Sequence, residues 1–282
     1  MGILSSSVLR RGPAWLLVPA LLVMAVGFVI PLGEVAQWAS SPELYIEFFE
    51  PGNPYRLIMI DTFMLSIGVA LLTVALAYPV AYYLTRTQGL AQKLLLIGIL
   101  TPLWVSVLIR TYGWIVVLGR GGLVNSLLMA LNVTDQPVQL LYTRFAVYVA
   151  MIQVLLPIAV LMLYGAMASI NDTFVKAARS LGASAFNAFR YVFFPMTANA
   201  VIASGILIFV LSLGFFITPA LVGGPSDVLI SNVIQTQVNE TMDWELAATL
   251  GVILLAGGAI LVAALVVLVR KALQSDLNGG VK

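Results

Sequence analysis

The chain of 282 residues is 61% hydrophobic and only 9% charged, with a net charge of +2 and neither cysteine nor histidine. A mean hydropathy of +1.04 lies far above that of a water-soluble domain and reads as an integral membrane protein. The missing cysteine and histidine exclude disulfides, thiolate metal sites and imidazole proton shuttles, and so small a net charge makes no case for nucleic acid as a partner.

Apolar runs of about twenty residues or more are long enough to cross a bilayer as helices, the form that satisfies every backbone polar group within lipid. The short alternating segments of a β-barrel are absent. In chain order the runs predict six spans, at 14–32, 57–84, 93–118, 145–170, 197–221 and 246–269. The fold class is therefore an all-α membrane protein with six transmembrane helices. Residues 1–13 form an arm, 14–270 one transmembrane domain, and 271–282 a tail. Arg10 and Arg11 ahead of the first span give it the look of a signal peptide. Its length and the lack of a clean small-residue cleavage site favour a retained anchor.

Arg10, Arg11, Arg86, Lys93, Lys176, Arg179, Arg190, Arg270, Lys271 and Lys282 all fall on one side of this topology, and only Arg56, Arg120 and Arg144 on the other. The positive-inside rule then puts both termini in the cytoplasm. Glu34, Glu43, Glu47, Glu50, Asp135, Asp227, Glu240, Asp243 and Glu245 collect on the outer side. Pro79, Pro102 and Pro157 sit within spans two, three and four, where each removes a helical hydrogen bond and invites a kink, although membrane helices also tolerate proline without a mechanical role.

The stretch 176–195, KAARSLGASAFNAFRYVFFP, lies between spans four and five. Asn171 and Asp172 are good N-caps for a short helix carrying Phe174, Ala177, Ala178 and Leu181 on one stripe. Gly182 ends that helix, Ser184 can cap a second with Phe186, Phe189 and Phe193 on one face, and Pro195 marks the return to the membrane. Two short helices, apolar on one side yet outside the bilayer, need either a protein surface to cover them or lipid headgroups to lie on.

This stretch resembles the EAA motif of permease subunits in binding-protein-dependent ABC importers. Ala177, Ala178, Gly182, Val192 and Pro195 match, while Lys176 stands where that family usually has glutamate. Further similarity to the spermidine/putrescine branch runs through LIRTYGW at 108–114, GLVNSLL at 122–128, DQPVQLLY at 135–142 and ITPALVGG at 217–224. The resemblance implies a type I ABC importer permease fold in a bacterial inner membrane, with 171–195 as the coupling segment. It assigns ATPase coupling to Lys176, Ala177, Ala178, Gly182, Ala183, Ser184 and Pro195. It implies a second, different permease subunit, an ATPase dimer, an extracytoplasmic solute-binding protein, and alternating access. The chain lacks G-x-x-x-x-G-K-[ST], so ATP and Mg belong to the partner ATPase, and this subunit is a transporter component without a cofactor of its own. The solute implied is a polyamine or related amine, with an opine or another small nutrient as the alternative.

Charged residues inside spans are costly and invite a functional reading. Asp61 near the outer end of span two offers charge to a cationic solute, with aromatics nearby for cation–π attraction, or else caps or pairs near the interface. Arg110, beside Tyr112 and Trp114 in span three, lines a pathway, or else snorkels or satisfies buried carbonyls. The stretch 223–244, a turn signal followed by a half-apolar helical stretch, contacts the binding protein, lines the outer gate, or packs as an ordinary loop. An ion-coupled carrier and an intramembrane enzyme are the other classes open to such a chain. Neither explains the segment at 176–195.

Overall fold

The computed structural model describes residues 17–279; the predicted arm at 1–13, the start of the first span, Arg10, Arg11 and Lys282 lie outside them. Among the described residues there are thirteen α-helices: α1 (Val18–Trp38), α2 (Pro42–Phe49), α3 (Pro54–Arg86), α4 (Leu90–Leu100), α5 (Val107–Leu118), α6 (Leu123–Ala130), α7 (Arg144–Ala168), α8 (Thr173–Ser180), α9 (Ala185–Ala188), α10 (Phe194–Leu213), α11 (Ile217–Val222), α12 (Ile230–Thr236) and α13 (Trp244–Gly279). Six stretches are long and apolar enough to cross a membrane, at Val18–Trp38, Pro54–Arg86, Val107–Ala130, Arg144–Ala168, Ala185–Leu213 and Trp244–Leu268.

The centre of the bundle is α3 packed along α7, with α10 against both. Small side chains make the close approach possible: Ala77 and Ala81 on α3, and Ala146, Ala150 and Ala159 on α7, are all buried, as expected where lipid supplies no hydrophobic drive and packing must hold helices together. Leu65, Leu84, Met151, Leu155, Leu163 and Ile208 fill the remaining volume. By contrast every residue of α1 is exposed, and its chief neighbour is α13.

Three predicted spans differ from the structure. The third is not one helix over 93–118. Pro102, expected to kink it, instead sits in a 3₁₀ turn at Thr101–Trp104, and the chain is extended at Val105 and Ser106 before α5 begins. Proline lacks the N–H that would continue the helix, and its ring crowds the carbonyl one turn earlier. Pro79 and Pro157 do lie inside α3 and α7 as expected, and Pro31 lies inside α1. The fifth helix is continuous from Ala185 and stops at Leu213, and the chain restarts as α11 after Gly214–Phe216. Two carbonyls of that break are taken up from α12, where Ser231 Oγ donates to Phe215 O at 2.6 Å and Asn232 Nδ2 donates to Phe216 O at 2.7 Å, so irregular backbone at this depth is satisfied by protein. The sixth helix continues through Gly279, well past the predicted end at 269 and into the stretch read as a tail.

Candidate functional site

The segment 171–195 is a hairpin at one end of the bundle. Its entry is held by Asn171, whose Oδ1 accepts from Thr173 N at 2.9 Å, while the carboxylate of Asp172 makes no capping bond. Helix α8 then ends in a Schellman turn: Gly182 N donates to Arg179 O at 3.0 Å and Ala183 N to Ala178 O at 3.1 Å. Gly182 has φ +93°, and a Cβ built there meets nothing within 4 Å. Its glycine is required by backbone conformation rather than by lack of room. Ser184 Oγ accepts from Asn187 N at 3.2 Å and starts α9 as predicted.

The hairpin is sided differently from the two predicted stripes. Val175 packs toward the bundle and Ala178 is half-buried, while Phe174 and Ala177 face outward with Leu181, which is 89% exposed. On the second limb Phe186 is also open, whereas Phe189 and the buried Phe193 turn inward onto α3, with ring centroids 5.3 and 5.1 Å from that of Tyr82. Residues 189–193 form a widened π turn in which Phe194 N donates to Phe189 O, and this extra residue lets an exposed Pro195 enter a continuous helix. Lys176 is exposed and forms no ion pair among the described residues.

The candidate pathway residues do not converge. Asp61 pairs with Arg144 of α7, Oδ1 to Nη2 at 3.4 Å, which is the pairing alternative read from sequence. Arg110 and Trp114 lie on one side of α5 and are half-buried, while Tyr112 is exposed on the other. Arg110 Nε and Nη1 are sealed from solvent with no hydrogen-bond partner among the described residues. At the end opposite the hairpin a cavity of about 790 Å³ opens between Tyr142, Pro219, Gly224, Asp227, Asn232 and Glu240. Its rim is shaped by Tyr142, which has φ +61° and donates from N to Val222 O at 3.0 Å, and by Asp227, whose Oδ2 accepts from Gly224 N at 3.1 Å.

Two anchors at this end escape sequence reasoning. Asn125 is fully buried in α6: its Nδ2 donates to Gly119 O and Val138 O, each at 3.0 Å, and its Oδ1 accepts from Val138 N at 2.8 Å. A polar pair, Asn125 and Ser126, in an otherwise apolar stretch was the available signal. Gly122, just before α6, has no space for a Cβ, which would collide with Val116 O and Val117 O. Thr62 Oγ1 donates to Ile58 O at 2.7 Å and accepts from Ile230 N at 2.9 Å, joining α3 to α12.

The family of binding-protein-dependent transport system inner membrane components matches residues 77–275. The spermidine/putrescine transport system permease protein PotB of Escherichia coli K12 is 31% identical over 200 residues, covering 71% of this chain and 73% of that protein. Its Haemophilus influenzae counterpart is 29% identical over 239 residues, or 84% and 83% of the two chains. In fold, a chain of the bacterial alginate ABC transporter, crystallised with an alginate-bound periplasmic protein, superposes with a TM-score of 0.72 at 18% identity over 89% of this chain and 93% of that one. Matched over most of its length on both counts, with the type I permease fold around its six spans, the chain belongs to the binding-protein-dependent transport system inner membrane components and is a permease subunit of an ABC importer.

Proposed function

We propose that this permease moves a polyamine or a related small amine into the cytoplasm, driven by ATP hydrolysis on a partner ATPase dimer and delivered by an extracytoplasmic binding protein. A second, different permease completes the pathway. The observation that carries this reading is the hairpin at 171–195, which exposes Phe174, Leu181 and Phe186 around the turn at Gly182. Apolar side chains held rigidly outside the bilayer are suited to a protein socket, and Lys176, Ala177, Ala178, Gly182, Ala183, Ser184 and Pro195 form or flank that surface. The relatives named for spermidine and putrescine support the solute class.

In this reading the hairpin end and both termini are cytoplasmic, and the far-end cavity faces the binding protein. Asp61 is engaged by Arg144, so the carboxylates offered to an arriving ammonium group are Asp227 and Glu240 at the cavity wall. Arg110 and Trp114, on one side of α5, flank the route further in. Reconstitution of the permease pair and ATPase in vesicles, with radiolabelled putrescine and its binding protein, tests this. ATP-dependent uptake that unlabelled spermidine competes away is expected, and uptake by this chain alone on an ion gradient would sink the proposal. Orientation is testable without background because the chain has no cysteine. Single cysteines at Gly182 and at Ser226, which is exposed in the far-end loop, are expected to react with impermeant maleimide from opposite faces, the first from the cytoplasm.

A further inference from the structure

The search for an unassigned role leads to Arg86, the last residue of α3. Its Nη1 donates to Asp172 Oδ1 at 2.9 Å, and its guanidinium carbon lies 5.3 Å from the ring centroid of Tyr82 and 5.4 Å from that of Phe193. Asp172 stands at the entry of the coupling hairpin and Phe193 on its exit limb, so one side chain grips both limbs and its own helix. Around it Phe189 packs on Tyr78 and Tyr82, with centroids 6.1 and 5.3 Å away. Gln92 at the start of α4 donates from Nε2 to Leu84 O at 3.2 Å and to Tyr164 Oη at 2.9 Å, which binds α4 and α7 to the same end of α3.

We propose that Arg86 is a positioning residue that latches the coupling hairpin to α3, so that motion imposed on the hairpin is delivered to the far end of the bundle through that helix. This rests on the reading of 171–195 as the ATPase dock. From Arg86 the 33 residues of α3 reach about 50 Å at 1.5 Å per residue. Close to its other end Asp61 meets Arg144 of α7 and Thr62 meets Ile230 of α12 beside the cavity. A guanidinium suits the role because its planar face stacks on rings while its edge donates to a carboxylate, which the compact ammonium of lysine does not do together. An exposed ion pair alone contributes little; the two rings are what make this one a fixed contact, and Phe193 is only 2% exposed.

The test uses the full transporter in proteoliposomes, with Arg86→Gln and Arg86→Lys, and measures co-purified ATPase, ATP hydrolysis, and putrescine moved per ATP. Arg86→Gln is expected to retain the ATPase and to hydrolyse ATP, while putrescine per ATP falls about fivefold or more, within the span of typical coupling between sites. Arg86→Lys is expected to recover part of that loss. Unchanged putrescine per ATP in Arg86→Gln, or hydrolysis and uptake falling in proportion, overturns the latch while leaving the dock intact. Absence of ATPase from the purified parental complex overturns the dock, and the latch with it.

Discussion

The two ends of α3 are held by different chemistry. At the hairpin end the contacts are chiefly aromatic, edge to face from Tyr78 and Tyr82 onto Phe189 and Phe193, with the Arg86 guanidinium over two of the rings. At the far end they are short hydrogen bonds between side chains and backbone, through the buried Thr62, Asn125 and Ser231 and the half-buried Asn232. Apolar contact is non-directional and weakens gradually as surfaces slide, whereas a buried hydrogen bond is lost within a fraction of an ångström and leaves an expensive unsatisfied group. If 171–195 is the ATPase dock as proposed, the hairpin end is suited to shift while staying attached, and the far end to hold its irregular loops in one arrangement.

Truncating the aromatic anchor is expected to have the largest effect on stability. Phe193→Ala removes a buried ring and should destabilise by about 3–5 kcal/mol, seen as a lowered midpoint of thermal unfolding in detergent. If the far end is as strict as its hydrogen bonds indicate, Asn125→Leu, close in volume, should still cost about 2–3 kcal/mol, because Val138 N, Val138 O and Gly119 O lose their partner. A midpoint unchanged from the parent would show that the comparison misplaces the rigid end.

Gly182 separates conformation from docking. Gly182→Ala is strained by its positive φ and should cost about 1 kcal/mol, with uptake retained. Gly182→Asp, in a region aspartate visits more readily than most residues and with no neighbour within 4 Å, should fold comparably yet lose ATP-coupled uptake, because the added carboxylate is buried against the partner. Transport assays on both variants, normalised to purified protein, decide this, and normal uptake by Gly182→Asp would count against the turn as the contact. The smallest effect belongs to Lys176→Glu. This exposed charge has no partner among the described residues, so exchange to the residue usual in the family should shift stability by less than about 1 kcal/mol and leave uptake near the parental level.

The hairpin was legible because its signals are local. A glycine that permits positive φ, a serine that caps the helix three residues ahead, and apolar spacing along single turns operate over fewer than ten residues. The sidedness was not: Phe186, Phe189 and Phe193 share a helical spacing, but only the neighbouring rings of α3 determine that two turn inward and one outward. Asp61 read as a cation site or, more readily, as a residue that caps or pairs near the interface, but its partner was not legible because Arg144 lies 83 positions along the chain. The breaks at 105–106 and 214–216 were hidden by continuous hydropathy, which reports immersion in lipid but not whether the backbone stays helical.

By itself, then, the sequence determined the membrane class, the number of spans, the family, and the position of the turn at Gly182, because hydropathy, glycine, proline and capping chemistry act within one or two helical turns; it misplaced both ends of the third and fifth spans. Tertiary structure alone decided which carbonyls of the broken helices find donors, which ring faces the bundle, that α1 rests chiefly on α13, and that Arg86 spans both limbs of the hairpin. Those outcomes depend on side chains from remote helices meeting at hydrogen-bond or van der Waals distance, and no local pattern encodes which helices meet.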